Sequence, residues 1–238
     1  MSDALLRIEG LSAGYGDFVA VDSVDLEVAK GEIVSLIGIN GAGKTTLMDT
    51  VAGLHRPSSG KVLLNGEDIT ALSADKIVAK GLSLVPQGGK CFPRMSVRDN
   101  LLMGSFPKAA RKNAKQTLEH IFELFPDLAE MKQRPAGTLS GGQRQMVAIG
   151  RALMGAPQCL IFDEISLGLS PVVINDIYKK IKRINEEEKT SIILIEQDTR
   201  RVLKASDRFY VMLKGRVALS GRSDEIDPET LKKAYFGI

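Results

Sequence analysis

At 238 residues, with 44% hydrophobic and 26% charged side chains, the chain is long enough for one large globular unit with a substantial core. Its 32 basic and 29 acidic residues leave a formal charge of only +3, and the basic ones are scattered, which speaks against nucleic acid as a partner. No apolar stretch reaches bilayer length and no signal peptide opens the chain, so it is expected in the cytosol, or at a membrane only through a partner. Cys91 and Cys159 fit neither a CxxC nor a zinc spacing and are expected as reduced thiols.

In chain order, Leu5 to Glu9 reads as a strand broken at Gly14-Tyr15-Gly16, and Val19 to Val28 as a second strand of imperfect alternation. Lys30-Gly31-Glu32 turns the chain into the apolar run Ile33 to Ile37, short enough for a buried strand. Gly38-Ile39-Asn40-Gly41-Ala42-Gly43-Lys44-Thr45-Thr46 follows, and a helix is expected from Lys44 to Leu54. Strand, glycine-rich turn and helix are the setting in which G-x-x-x-x-G-K-T forms a P-loop. Its backbone amides, from Asn40, Gly41, Ala42, Gly43, Lys44, Thr45 and Thr46, and the helix N-terminus suit a chain of phosphates. Lys44 offers a mobile charge for the β- and γ-phosphates, and Thr45 a hydroxyl for Mg²⁺.

Lys61 to Leu64 with Asn65-Gly66 signals a hairpin, and Leu82 to Pro86 a buried strand ending at Gln87-Gly88-Gly89. From Ser96 to about Gly155 strand signals give way to helical ones, such as Leu118, Ile121, Phe122 and Phe125 on one face. Then come a strand at Cys159 to Phe162, a helix from Pro171 to about Glu187, and a strand at Ser191 to Ile195. A helix at Thr199 to Ala205, a hairpin around Lys214-Gly215-Arg216 and a short helical tail complete the pattern. Strands alternating with helices predict a mostly parallel sheet covered on both faces.

Two further stretches carry chemistry. The strand from Cys159 ends in Asp163 and Glu164, at the carboxyl edge where open α/β sheets bind ligands. Asp163 suits Mg²⁺, and Glu164 suits the orientation and deprotonation of a water. At Leu139-Ser140-Gly141-Gly142-Gln143, Ser140 and Gln143 make a capping box for the next helix. Gly141 and Gly142 in its first turn carry a cost, each roughly 0.8–1 kcal/mol against alanine in a helix interior and less near an end. Bare amides there make a second anion site, and one nucleotide does not need two from one chain. That surplus predicts that Ser140, Gly141, Gly142 and Gln143 serve a nucleotide held by another subunit.

The P-loop, the Leu-Ser-Gly-Gly-Gln signature and the Asp163-Glu164 strand end, in this order, resemble the ATP-binding subunits of ABC transporters over essentially the whole chain. The resemblance implies an α/β fold with a P-loop NTPase (RecA-like), mostly parallel core, an N-terminal antiparallel β subdomain and an inserted all-helical subdomain. One ABC ATPase domain would fill 1–238, with its nucleotide-binding core at 1–87 and 157–238 and the helical insert at 88–156. It further implies ATP and Mg²⁺ as cofactors and a head-to-tail pairing with a second ABC ATPase subunit. Tyr15 would stack on adenine, Gln87 would sit at the Mg²⁺ and the water, and the segment from Gly88 would grip integral-membrane permease subunits at the cytoplasmic face of the cell membrane.

Two departures narrow the resemblance. Gln197, in Glu196-Gln197-Asp198, stands where such ATPases usually carry a histidine for the γ-phosphate; an amide can donate but cannot gain a proton. Leu169 stands where the loop after Glu164 usually has aspartate. These features, with Phe92-Pro93, Asn100 to Gly104 and Ala234 to Gly237, resemble the shorter ATPase of branched-chain amino-acid importers, which also depend on an extracytoplasmic solute-binding protein. Importers of amides or urea share several of these tokens, and an exporter ATPase of the same fold stays open. A soluble ABC ATPase acting on ribosomes or DNA would bring fused units, coiled-coil arms or a basic extension, and a P-loop kinase has no use for Leu139 to Gln143.

Overall fold

The computed structural model describes residues 4–237. Ten strands fall into two sheets: β1 (Ala4–Tyr15), β2 (Phe18–Ala29), β3 (Ile33–Ile37), β4 (Ser59–Leu64), β5 (Glu67–Asp68), β6 (Leu82–Val85), β7 (Cys159–Asp163), β8 (Ser191–Glu196), β9 (Arg208–Leu213) and β10 (Arg216–Arg222). The helices are α1 (Lys44–Val51), α2 (Ala74–Ala79), α3 (Val97–Leu102), α4 (Lys108–Arg111), α5 (Ala114–Leu124), α6 (Pro126–Glu130), α7 (Gly141–Leu153), α8 (Pro171–Glu188), α9 (Thr199–Ala205) and α10 (Pro228–Phe236). One sheet is antiparallel, in the order β2-β1-β4-β5; the other runs β10-β9-β3-β8-β7-β6 and is parallel except at the β9–β10 hairpin.

β3, β7 and β8 are buried along their whole length, which is why they read as unbroken apolar runs. Their side chains divide between two cores. Ile33, Ile37, Leu160, Phe162, Ile192 and Leu194 pack with the helices α3, α5, α7 and α8, while Val34, Leu36, Cys159, Ile161, Ile193 and Ile195 pack toward the antiparallel sheet and α1. Each such fully buried side chain contributes about 1.5–3 kcal/mol. Parallel register then levels the strand ends: Ile37 lies opposite Glu196, Asp163 opposite Ile195, and Val85 opposite Phe162. The residues just beyond β3, β6, β7 and β8 therefore emerge at one edge.

The structure differs from the sequence expectation in three places. β1 extends well beyond Leu5 to Glu9 and ends at Tyr15, inside the expected break Gly14-Tyr15-Gly16, while β2 matches its expected span to within one residue at each end. Gly14 is there because a Cβ would meet the Phe18 carbonyl across the hairpin, and register shifts along β1 hid the alternation. α1 stops at Val51, three residues early, and α2 carries only Ile77 as a buried anchor, too weak a period to read. Cys91 and Cys159 are free thiols, and burial pushes that of Cys159 up to about 12. Among the described residues no helix is long and apolar enough to cross a membrane.

Candidate active site

β3 delivers the chain into the loop 38–43, which is packed so tightly that two of its glycines have no alternative. A Cβ on Gly38 would meet the Met212 carbonyl, and one on Gly43, at φ +100°, would meet the Ala20 carbonyl. Gly41, at φ +80°, has open space where its side chain would be, so its role is conformational. Ala42 ties the loop to the β9–β10 hairpin by accepting from the Gly215 amide at 3.0 Å. α1 then starts with no side-chain cap and no acidic residue in its first turn, leaving its leading amides and partial positive charge to an anion. Lys44, 4% exposed, folds back and donates from Nζ to the Gly38 and Ile39 carbonyls at 2.8 and 3.1 Å. Burial lowers its pKa, opposed by the nearby charges of Glu164 and Asp163.

The other strand ends close on the same point. Glu164, at φ +44°, lies in a region a non-glycine residue occupies at a cost of order 1–3 kcal/mol. Its amide donates to the Ile195 carbonyl at 3.0 Å. Its Oε2 accepts from Gln87 Nε2 at 3.2 Å and from Gln197 Nε2 at 3.0 Å, and its Oε1 lies 3.9 Å from Lys44 Nζ. The four candidate catalytic residues Lys44, Gln87, Glu164 and Gln197, drawn from positions up to 153 residues apart, therefore meet at one carboxylate.

Asp163 is 8% exposed, and its Oδ1 is buried with no hydrogen-bond partner. Burial, with the neighbouring charges of Glu164 and Asp49, raises its pKa to about 6, against Lys44 and a hydrogen bond with Thr45. An orphaned acid oxygen beside a threonine hydroxyl fits a small hard cation. Among the described residues no group of three or more His, Cys, Asp or Glu side chains could hold a metal by itself.

Ser140 and Gln143 form the expected capping box: Ser140 Oγ accepts from the Gln143 amide at 3.3 Å, and Gln143 Oε1 accepts from the Ser140 amide at 2.9 Å. The two glycines divide. Gly142 is buried, and a Cβ there would lie 2.7 Å from Val173 Cγ1, so close packing on α8 accounts for it. Gly141 is exposed, and a Cβ there would meet only Leu169 Cδ2 at 3.5 Å, an ordinary contact, so packing does not account for it. The start of α7 thus sits beside the loop carrying Leu169. Gly142→Ala is expected to destabilise the chain by about 1–3 kcal/mol through overpacking, and Val173→Ala in the same chain should restore most of it. Thermal unfolding of the two variants checks this.

Tyr15 is 55% exposed at the tip of the β1–β2 hairpin. Its ring lies 4.7 Å from that of His55, tilted by 37°, and His55 Nε2 is 2.9 Å from the Gly14 carbonyl. His55 belongs to no motif, and no signal in the sequence marks it.

The ABC transporter family matches residues 21–166, more than half of the chain. The branched-chain amino-acid transport ATP-binding protein BraG of Pseudomonas aeruginosa is 40% identical over 235 residues, covering 98% of this chain and 100% of the relative. BraF of the same organism is 33% identical, covering 100% and 99%, and its alignment of 253 positions exceeds this chain, so it carries insertions. Among solved structures, the ADP conformation of MJ1267, an ATP-binding cassette of an ABC transporter, superposes with a TM-score of 0.84 at 30% identity, covering 99% of each chain. The chain belongs to the ABC transporter family. Within it the chain is an ATP-binding cassette, an ATPase of the P-loop type.

Proposed function

We propose that this chain hydrolyses ATP to drive import of branched-chain or other hydrophobic amino acids, at the cytoplasmic face of a membrane. The observation that carries the enzymatic part is the convergence of Lys44, Gln87 and Gln197 on the Glu164 carboxylate. The amino-acid part rests on likeness to BraG and BraF, each a branched-chain amino-acid transport ATP-binding protein. The chain has the length of BraG and lacks the insertions of BraF, which favours the shorter position in a pair of unlike ATPase subunits.

The chemistry follows from the side chains. The loop amides from Asn40 to Thr46 cradle the phosphates of ATP, and Lys44 exchanges its two carbonyl partners for β- and γ-phosphate oxygens. Thr45 and Asp163, with Gln87 near them, would hold Mg²⁺, which when bound supplies neutralising charge on those oxygens. Gln87 and Gln197 both donate to Oε2 of Glu164, which fixes the carboxylate and leaves Oε1 to take the proton of the attacking water. Gln197 acts only as a donor, so this step gains nothing from a titrating imidazole at that position. Tyr15 gives adenine a stacking platform braced by His55. Ser140, Gly141, Gly142 and Gln143 face the γ-phosphate held by the second subunit, with the Gly141 and Gly142 amides free of the capping box.

A groove of about 300 Å³ opens where the helical segment meets β6, lined by Leu84, Pro86, Phe92, Met103 and Phe106. Phe92, Met103 and Phe106 are exposed there, in the segment that follows Gln87. An apolar element of a permease is its natural occupant, and through Gln87 the groove is joined to Glu164. Tagged protein drawn from detergent-solubilised native membranes should bring down two integral-membrane permease chains and a second, BraF-like ATPase. Recovery of ribosomal or DNA-bound material without any membrane chain would overturn the transport assignment while leaving the ATP site in place.

A further inference from the structure

Glu196 ends β8 at the same edge as Glu164, is 3% exposed, and takes no part in the chemistry above. Burial raises its pKa, opposed by the hydrogen bonds from Ser166. A buried carboxylate without a cation is expensive unless hydrogen bonds compensate. Its two hydrogen bonds of regular geometry come from Ser166, which donates from its amide at 3.2 Å to Oε1 and from its hydroxyl at 2.7 Å to Oε2. The Tyr178 hydroxyl, buried and without a hydrogen bond of regular geometry, lies against the same carboxylate from α8.

Three consecutive residues at and just beyond the end of β8 therefore grip the loop that carries the proposed base. Ile195 accepts from the Glu164 amide, Glu196 holds Ser166 at two points, and Gln197 donates to the Glu164 carboxylate. From Ser166 the loop continues with the Leu169 amide donating to the Ser166 carbonyl at 3.2 Å, and Leu169 touches the start of α7 beside Gly141. The Glu196–Ser166 pair is thus a doubly bonded polar link between this loop and the end of β8.

We propose that Glu196 is a positioning residue for ATP hydrolysis: through Ser166 it latches the loop 164–169 to the end of β8, so that Glu164 and Gln197 move as one unit. This rests on the assignment of Glu164 as the base. The energetic case is geometric: displacement of a base by about 1 Å costs on the order of 10²-fold in rate without touching substrate binding.

The test uses the full chain in its assembled transporter. Glu196→Ala should lower kcat roughly 10- to 100-fold with KM for ATP within about twofold. Glu196→Gln keeps an oxygen that can accept one Ser166 bond and should recover to within about fivefold of the native rate. Ser166→Ala removes the hydroxyl arm from the more accessible side, where folding is least at risk, and should lower kcat at unchanged KM; the double variant should be no slower than the worse single, because both delete one interaction. Native turnover in Ser166→Ala, or parallel losses in kcat, KM and thermal stability in every variant, would overturn the latch. Glu164→Gln measured alongside separates the two ideas. If it hydrolyses ATP normally, the base assignment fails and the latch with it; if it is inactive while Glu196→Ala and Ser166→Ala keep native kcat, only the latch fails.

Discussion

Glu164→Gln is expected to bind ATP with native affinity and to turn it over roughly 10²–10⁴-fold more slowly, the range for loss of a general base. The substitution keeps shape and a hydrogen-bonding oxygen for Gln87 or Gln197, so the neighbours that now meet on Oε2 stay partnered. It removes the negative charge 3.9 Å from Lys44 and, with it, the basicity of the proposed proton acceptor. A rate loss of that size corresponds to about 3–5 kcal/mol of transition-state stabilisation. Equilibrium nucleotide binding together with single-turnover hydrolysis measures both halves of the expectation. Near-native hydrolysis would remove Glu164 from the mechanism.

Asp163→Asn should split stability from function. In the protein free of metal, the carboxyl has its pKa raised by burial, by Glu164 and by Asp49 to about 6, from 3.8 in the unfolded chain. The sign follows from which state binds the proton more tightly. Below pH 4 both states are protonated and the group costs nothing; as pH rises through 4 to 6 the unfolded chain ionises first and stability is lost. A rise of that size corresponds to about 3 kcal/mol at neutral pH. An amide has no charge to desolvate, so the variant should melt several degrees higher than the native chain at pH 7.5 in chelator, with the gap closing near pH 4. With Mg²⁺ and ATP present the order should reverse, and ATPase activity should be lost. Equal melting at pH 7.5 in chelator would mean that a further contact compensates the Asp163 carboxylate.

Most of the proposed catalytic constellation is legible in the sequence because its residues occur in runs. The P-loop, Asp163-Glu164 and Ser140 to Gln143 each announce their chemistry by spacing, and β3, β7 and β8 announce themselves by unbroken apolar character. Gln87 and Gln197 are nameable only through the family likeness, since a lone glutamine at a strand end has no period and no partner in sequence. Their meeting on one oxygen of Glu164 is a product of strand register, which the sequence does not write down. The same holds for Glu196, an acid next to a recognised position, and for His55, whose ring contact spans a hairpin and a helix end. Gly142 shows the converse. Its sequence context assigns the missing side chain to an anion, and the fold assigns it to Val173.

α7 begins at Gly141 with the signature amides and, further along the same helix, presents Ala148, Arg151 and Ala152 to the apolar groove. Thirteen residues of helix span about 20 Å. Gly150 lets Leu101 and Ile121 press directly on its backbone, so the element has no slack along its flank. A stiff rod pinned in this way cannot absorb a displacement; it passes it on. On the proposed function, a displacement at the signature end, as the second subunit's nucleotide is gripped or released, would reach the groove with little loss. The single helix would then act as a crank between the proposed nucleotide-facing and permease-facing surfaces.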